Sequence, residues 1–93
     1  MNASNAGRAL ALVFADELAR AGVNHVCLSP GARSTPLALA LAEEPRLEHH
    51  VILDERSAGF VAVGIATATR RPAAVLCTSG TAAANLHPAI IEA

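Results

Sequence analysis

An α/β fold, with a parallel sheet covered by helices on both faces, is predicted by the rhythm of this chain. Three short runs of apolar or β-branched residues, at 25–28, 50–53 and 73–77, alternate with longer stretches of helical character. Each run leads directly into a loop of Gly, Ser, Thr or acidic residues that opens a helix. The last run is nearly all apolar, as expected for a strand covered on both faces. With right-handed crossovers this gives a three-layer arrangement, and every strand-to-helix loop falls on one edge of the sheet. Ligands bind in the crevice beside that edge.

The elements follow in order. Residues 5–21 read as an amphipathic helix, with Leu10, Phe14, Leu18 and Ala21 near one face and Arg8, Asp16 and Arg20 elsewhere. Gly22 is a natural stop. His25-Val26-Cys27-Leu28 is the first strand. Thr35 is then a helix N-cap, with Pro36 at the first helical position. That helix, 37–44, is ended by Pro45. His50-Val51-Ile52-Leu53 is the second strand, and Asp54 caps a helix from Glu55 to about Arg70 that Pro72 closes. The third strand is 73–77. Thr78 or Ser79 caps a last helix holding 82–85, which Pro88 kinks or restarts.

Composition narrows the classes. The chain has 93 residues, a net charge of −1, 53% hydrophobic and 16% charged residues, which excludes a disordered chain and a basic nucleic-acid-binding face. Aromatic residues make up 2%, so the core is built from Ala, Val, Leu and Ile. Such small side chains bury little area each, at roughly 25 cal/mol per Å², and a short chain buries a small share of its surface. An incomplete domain, the N-terminal piece of a longer protein, is therefore expected. The longest apolar run, 9–15, is far short of the roughly 20 residues of a membrane span, and there is no signal-peptide pattern. Cys27 and Cys77 lie in apolar strand segments and are read as reduced, buried thiols. These readings place the protein in the cytoplasm.

Three loops carry the chemistry. In Ser-Pro-Gly-Ala-Arg-Ser-Thr-Pro (29–36), Gly31 lets backbone approach a ligand, and Arg33 with the new helix N-terminus forms an anion site. A guanidinium grips a carboxylate through two parallel hydrogen bonds, and all seven basic residues here are Arg. The competing reading is a Pro-Gly turn with Arg33 in solvent. In Asp-Glu-Arg (54–56) the acids either complement a helix dipole or, for Glu55 beside small apolar residues, supply a carboxyl that exchanges a proton near neutral pH. In Thr-Ser-Gly-Thr (78–81), Ser79 and Thr81 either cap a helix or line a ligand. Neither a phosphate loop nor a dinucleotide fingerprint is present. No pair among the four histidines has the helical spacing of a zinc site, so no metal ligand is assigned and all four are read as structural.

Taken together, Ser-Pro-Gly-Ala-Arg-Ser-Thr-Pro-Leu (29–37), Asp-Glu-Arg-Ser-Ala-Gly-Phe (54–60) and Cys-Thr-Ser-Gly-Thr-Ala-Ala-Ala-Asn (77–85) resemble the thiamine-diphosphate enzymes. More narrowly, they are similar to the menaquinone-pathway synthases that decarboxylate 2-oxoglutarate and add the product to isochorismate. The resemblance runs over essentially the whole chain. It implies that 1–93 is an incomplete pyrimidine-binding domain of the thiamine-diphosphate-binding fold. Glu55 falls where the family places its activating glutamate, which hydrogen-bonds N1′ of the aminopyrimidine so that the exocyclic nitrogen can take the thiazolium C2 proton. Arg33 falls on the position that contacts a substrate carboxylate. Ala32 departs from the usual Ser there, which removes a hydroxyl and keeps the backbone N–H. Pro30 and Gly31 would pass close to the pyrimidine or the substrate, with Ser79 and Thr81 lining the same cleft.

The family holds the cofactor's diphosphate and Mg²⁺ through a Gly-Asp-Gly motif with a downstream Asn, which does not occur in these residues. The resemblance therefore puts that site outside this chain. It also implies a homodimer or homotetramer with the cofactor between subunits, and no activity from the 93 residues alone. Two other readings stay open: another thiamine-diphosphate enzyme, such as a 2-oxo-acid decarboxylase or an acetolactate-synthase-like protein, and a non-catalytic α/β module for a small anion.

Overall fold

A computed structural model of the chain describes residues 3–29, 31, 34–78 and 80–93. It contains α1 (Ala3–Arg20), β1 (His25–Leu28), α2 (Thr35–Glu43), β2 (Glu48–Val51), α3 (Glu55–Thr69), β3 (Ala74–Leu76), α4 (Thr81–Ala84) and α5 (His87–Glu92). The three strands form one parallel sheet in the order β2-β1-β3.

Successive side chains of a strand point to opposite faces, and β1 divides the core in this way. Val26 and Leu28 enter a cluster with Ala11 and Ala15 of α1 and Ala40 and Leu41 of α2. Cys27 enters a second cluster with Ala58 and Ala62 of α3. Helices therefore lie on both faces of the central strand, and the expected three layers form around it.

The face that α1 buries differs from the expected one. Ala11 and Ala15 are buried, whereas Leu10 is 72% and Phe14 50% exposed. Alanine methyls let α1 approach α2 and the sheet closely, which turns the helix so that Leu10 and Phe14 border a shallow groove with Pro36 and Leu37. Polar ties fix the same packing. Arg8 meets Glu43 at 3.3 Å. Arg46, in the turn after α2, bonds both Glu44 and Asp16, the latter at 2.5 Å.

Several boundaries also shift. Ser34, rather than Thr35, is the N-cap of α2, and Thr35 begins the helix. The helix ends at Glu43 because Glu44, preceding Pro45, is extended. The second strand starts at Glu48, two residues earlier than the apolar run 50–53 suggests. It is an edge strand with a largely exposed surface, so its polar residues pair with β1 as readily as apolar ones would, from His25↔Glu48 to Leu28↔Val51. Leu53 lies beyond it and is 82% exposed. The third strand is 74–76, which leaves Cys77 just past its end. Both thiols are free; Cys27 is buried and Cys77 only partly so.

Asp54 caps α3 as expected, its side chain accepting from the Arg56 N–H at 3.2 Å. The helix closes on Arg70, held in the left-handed region at φ 58°. Gly80, at φ 74°, replaces Thr78 or Ser79 as the N-cap of α4. The chain restarts as α5 with Pro88 in its first turn. A Cβ on Gly59 would stand 2.8 Å from the Ala89 Cβ, so α3 and α5 touch closely at that point. Between them and β3 runs an open apolar groove of about 580 Å³, lined by residues such as Ala62, Val75 and Ile90. No helix among the described residues is long and apolar enough to cross a membrane.

Candidate functional site

The position of β1 between β2 and β3 sets where a ligand can enter. After β1 the chain passes to α2, on the side of α1; after β3 it passes to α4 and α5, and α5 packs beside α3. Loops that leave neighbouring strands toward opposite faces open a crevice at the carboxyl ends of the strands. By that rule the strand order points to a crevice between β1 and β3.

Ser29 joins the three strand ends at its base. Its N–H donates to the Leu76 carbonyl at 2.8 Å, extending the β1–β3 ladder. Its hydroxyl donates to the Ile52 carbonyl at 2.5 Å, beyond the end of β2. Ser29 is 2% exposed, and this bond satisfies its buried hydroxyl donor. Two residues on, Gly31 lies against Thr78. A Cβ on Gly31 would meet Thr78 Cβ at 2.7 Å and both Cγ2 and Oγ1 at 2.9 Å. The glycine is required here by space. Ser34 pins the same residue, its hydroxyl donating to the Gly31 carbonyl at 3.0 Å and accepting from the Gly31 N–H at 3.1 Å.

Glu55 is the first residue of α3, on the same edge of the sheet. The capping role at this helix start is taken by Asp54, which also accepts from the Ser57 hydroxyl at 2.9 Å, while Glu55 is the acid of the first turn. Glu55 is half-buried, and its carboxylate makes no hydrogen bond or ion pair with any described residue. A carboxylate so placed keeps its acceptor capacity for a ligand. Thr81 is the first residue of α4 and is exposed.

Topology thus brings Gly31, Glu55 and Thr81 to one sheet edge, as the sequence implies. Pro30, Ala32, Arg33 and Ser79 lie outside the described residues. Ser29 and Thr78 were not singled out as positioning residues. The available signal was the hydroxyl directly after an apolar strand, where it can donate to a carbonyl just past the end of a neighbouring strand. The apolar groove beside α5 carries none of these residues and lies on the sheet's face, so it is a separate feature.

Comparison with known proteins converges on one family. The family described as "Thiamine pyrophosphate enzyme, N-terminal TPP binding domain" matches residues 8–93. The chain is 61% identical over 89 residues to the 2-succinyl-5-enolpyruvyl-6-hydroxy-3-cyclohexene-1-carboxylate synthase of Thermobifida fusca, covering 96% of this chain and 16% of that protein. It is 61% identical over 92 residues to the synthase of the same name from Saccharopolyspora erythraea, with the same coverage. With that of Shewanella baltica it shares 59% over 78 residues, 84% of this chain and 14% of the relative. The chain therefore spans about one sixth of the length of these curated relatives.

Proposed function

Since this chain belongs to the family of thiamine pyrophosphate enzyme N-terminal TPP-binding domains, we propose that it contributes the pyrimidine-binding part of a thiamine-diphosphate-dependent synthase. On this reading the whole protein decarboxylates 2-oxoglutarate and joins the product to isochorismate; relatives up to 61% identical carry the name 2-succinyl-5-enolpyruvyl-6-hydroxy-3-cyclohexene-1-carboxylate synthase. The observation that carries it is Glu55: a half-buried carboxylate on the loop edge with no described protein partner. Such a carboxyl is free to share a proton with the ring nitrogen of an aminopyrimidine. Gly31 supports the fit, since its bare Cα keeps the loop close to Thr78 at the mouth of the crevice.

Thiamine diphosphate, when bound, supplies the electron sink that a 2-oxo acid needs to lose carbon dioxide. The chain's own residues bind, orient and move a proton. Glu55 holds a proton at the pyrimidine ring nitrogen and exchanges it there, the work of a positioned acid–base group. Arg33 pairs with a substrate carboxylate through its planar fork, beside the backbone N–H of Ala32. Pro30 and Gly31 would pass close to the pyrimidine or the substrate, with Ser79 and Thr81 lining the same cleft. The diphosphate and Mg²⁺ are held outside residues 1–93. The working unit is a cytoplasmic homodimer or homotetramer, and these 93 residues alone turn nothing over.

The test is carbon dioxide release from 2-oxoglutarate by the intact protein with thiamine diphosphate and Mg²⁺, with and without isochorismate. Strong stimulation by isochorismate is expected, and Glu55→Gln should lower turnover roughly 10²–10⁴-fold. Turnover near wild type in that variant overturns the role of Glu55. Release from pyruvate with no isochorismate requirement points instead to another 2-oxo-acid decarboxylase of the same cofactor class.

A further inference from the structure

At the opposite edge of the sheet, where the strands begin, two adjacent strands bring three metal-ligating groups together. His25 opens β1 and pairs directly with Glu48, the first residue of β2. His50 pairs with Cys27, so it lies one step along the same face. That is the α3 face, since Cys27 packs against Ala58 and Ala62. His25 Nδ1 lies 3.1 Å from His50 Nε2 and 3.5 Å from Glu48 Oε2. All three ligand atoms lie within 4.8 Å of one another. The two imidazole rings stack at 5.4 Å between centroids with 17° between planes.

We propose that His25, Glu48 and His50 form a binding site for a zinc-class divalent cation, held by two imidazole nitrogens and one carboxylate oxygen. The donor set decides the class, and the spacing is compatible with it. Tetrahedral ligands about 2.0–2.1 Å from zinc stand roughly 3.3 Å from one another; the two separations from His25 Nδ1, 3.1 Å and 3.5 Å, bracket that value, and Glu48 and His50 lie within 4.8 Å of each other. Nitrogen with a single oxygen suits a borderline ion such as Zn²⁺; Mg²⁺ and Ca²⁺ ask for oxygen ligands.

The metal-free geometry points the same way. Two ring nitrogens 3.1 Å apart need a proton between them, because two lone pairs in line repel. A cation bound by both nitrogens takes the place of that proton, which moves to the donor ring's other nitrogen. Access is open: the His25 side chain is 25% exposed and that of Glu48 67%. Water completes a fourth position, as in three-ligand zinc sites. The strands themselves are the scaffold, and α3, which runs from the carboxyl end of β2 to the start of β3, directs its C-terminal dipole toward this edge. The cluster stands apart from the crevice, which lies at the other ends of the same strands.

Co²⁺ titration of the intact, metal-free protein tests this, with no thiamine diphosphate or Mg²⁺ present. One equivalent is expected to give the intense visible bands of low-coordinate Co²⁺, and Zn²⁺ should displace them. Loss of an outer-shell partner typically costs 10–100-fold in affinity, so loss of a ligand in Glu48→Gln should cost at least about 10-fold. Glu48 is exposed enough for that variant to keep its fold. His50→Gln should abolish the bands, whereas His49→Gln, on the other face of β2, should leave them unchanged. Zn²⁺ should also raise the unfolding temperature of the wild type and not that of the His25→Gln/His50→Gln double variant. Absence of Co²⁺ bands in the wild type, or identical bands and affinity in His50→Gln, overturns the proposal.

Discussion

Substituting Gly31 by Ala probes the closest approach in the loop edge. The new Cβ would sit 2.7 Å from Thr78 Cβ and 2.9 Å from two further Thr78 atoms. Carbon atoms settle at about 3.5–4.0 Å, so one loop must retreat by roughly 0.8 Å to reach the near end of that range. Neither loop retreats freely. Gly31 is tied to Ser34 through two hydroxyl bonds, and Ser29 is tied to the ends of both other strands. Overpacking of this kind costs about 1–3 kcal/mol. With a urea slope of about 2 kcal/mol per M, the unfolding midpoint should fall by roughly 1 M at unchanged slope.

The geometry also specifies the rescue. Thr78→Ala retains the Cβ that stands nearest, so it relieves only the two outer contacts, whereas Thr78→Gly removes all three. In a double-mutant cycle, Gly31→Ala with Thr78→Gly should show a favourable coupling of about 0.5–3 kcal/mol. Urea unfolding of the four proteins in the cycle measures it. A midpoint for Gly31→Ala at or above wild type refutes the reasoning. So does additivity of the two single changes, within about 0.5 kcal/mol.

Three other outcomes follow from the same structure. Ser29→Ala removes the hydroxyl bond to the Ile52 carbonyl and keeps the backbone bond to Leu76, so it should cost about 1 kcal/mol; an unchanged urea midpoint would count against the staple. Cys27 should resist thiol reagents until the protein unfolds, because it is buried and burial pushes its thiol pKa up, while partly exposed Cys77 reacts in the native state; equal native labelling rates would contradict this. The Arg46 guanidinium, bonded to Asp16 and Glu44, holds both carboxyls below their ordinary range. Stability from a depressed carboxyl is fully present above its unfolded pKa, near 4, and is lost as pH falls through the folded value. Arg46→Met should therefore differ most from wild type above about pH 4 and converge with it on further acidification, as followed by urea midpoints across pH; a gap that widens in acid would refute the assignment.

The sequence made legible what depends on local chemistry. Pro45 ends α2 through its extended neighbour Glu44, Pro88 falls in the first turn of α5 and Asp54 caps α3, as the sequence implies, whereas α3 closes on left-handed Arg70 before Pro72 is reached. It was less informative wherever a partner element decides. The apolar stripe through Leu10 and Phe14 is a fair helix signal, yet the face that packs is the alanine face, because close approach to α2 favours small groups. An apolar run marked the second strand too late, since edge pairing uses backbone groups and tolerates Glu48 and His49. The loop edge was placed by alternation alone, whereas the Gly31–Thr78 contact needed the order β2-β1-β3. The histidine cluster is the clearest case: His25 and His50 are 25 residues apart, so only strand register brings them together.

The two outer strands of the sheet are unequal templates. On one flank, β2 is four residues long and carries Glu48 and His49 in exposed positions, features that discourage another strand from docking. On the other flank, Ala74, Val75 and Leu76 form an uncharged, half-buried row. Strand addition is therefore one-sided. Any further strand that joins this sheet, from the same polypeptide or from a misfolded neighbour, gains most beside β3, and a charge introduced into that row, as in Val75→Lys, would close the sheet to growth in both directions.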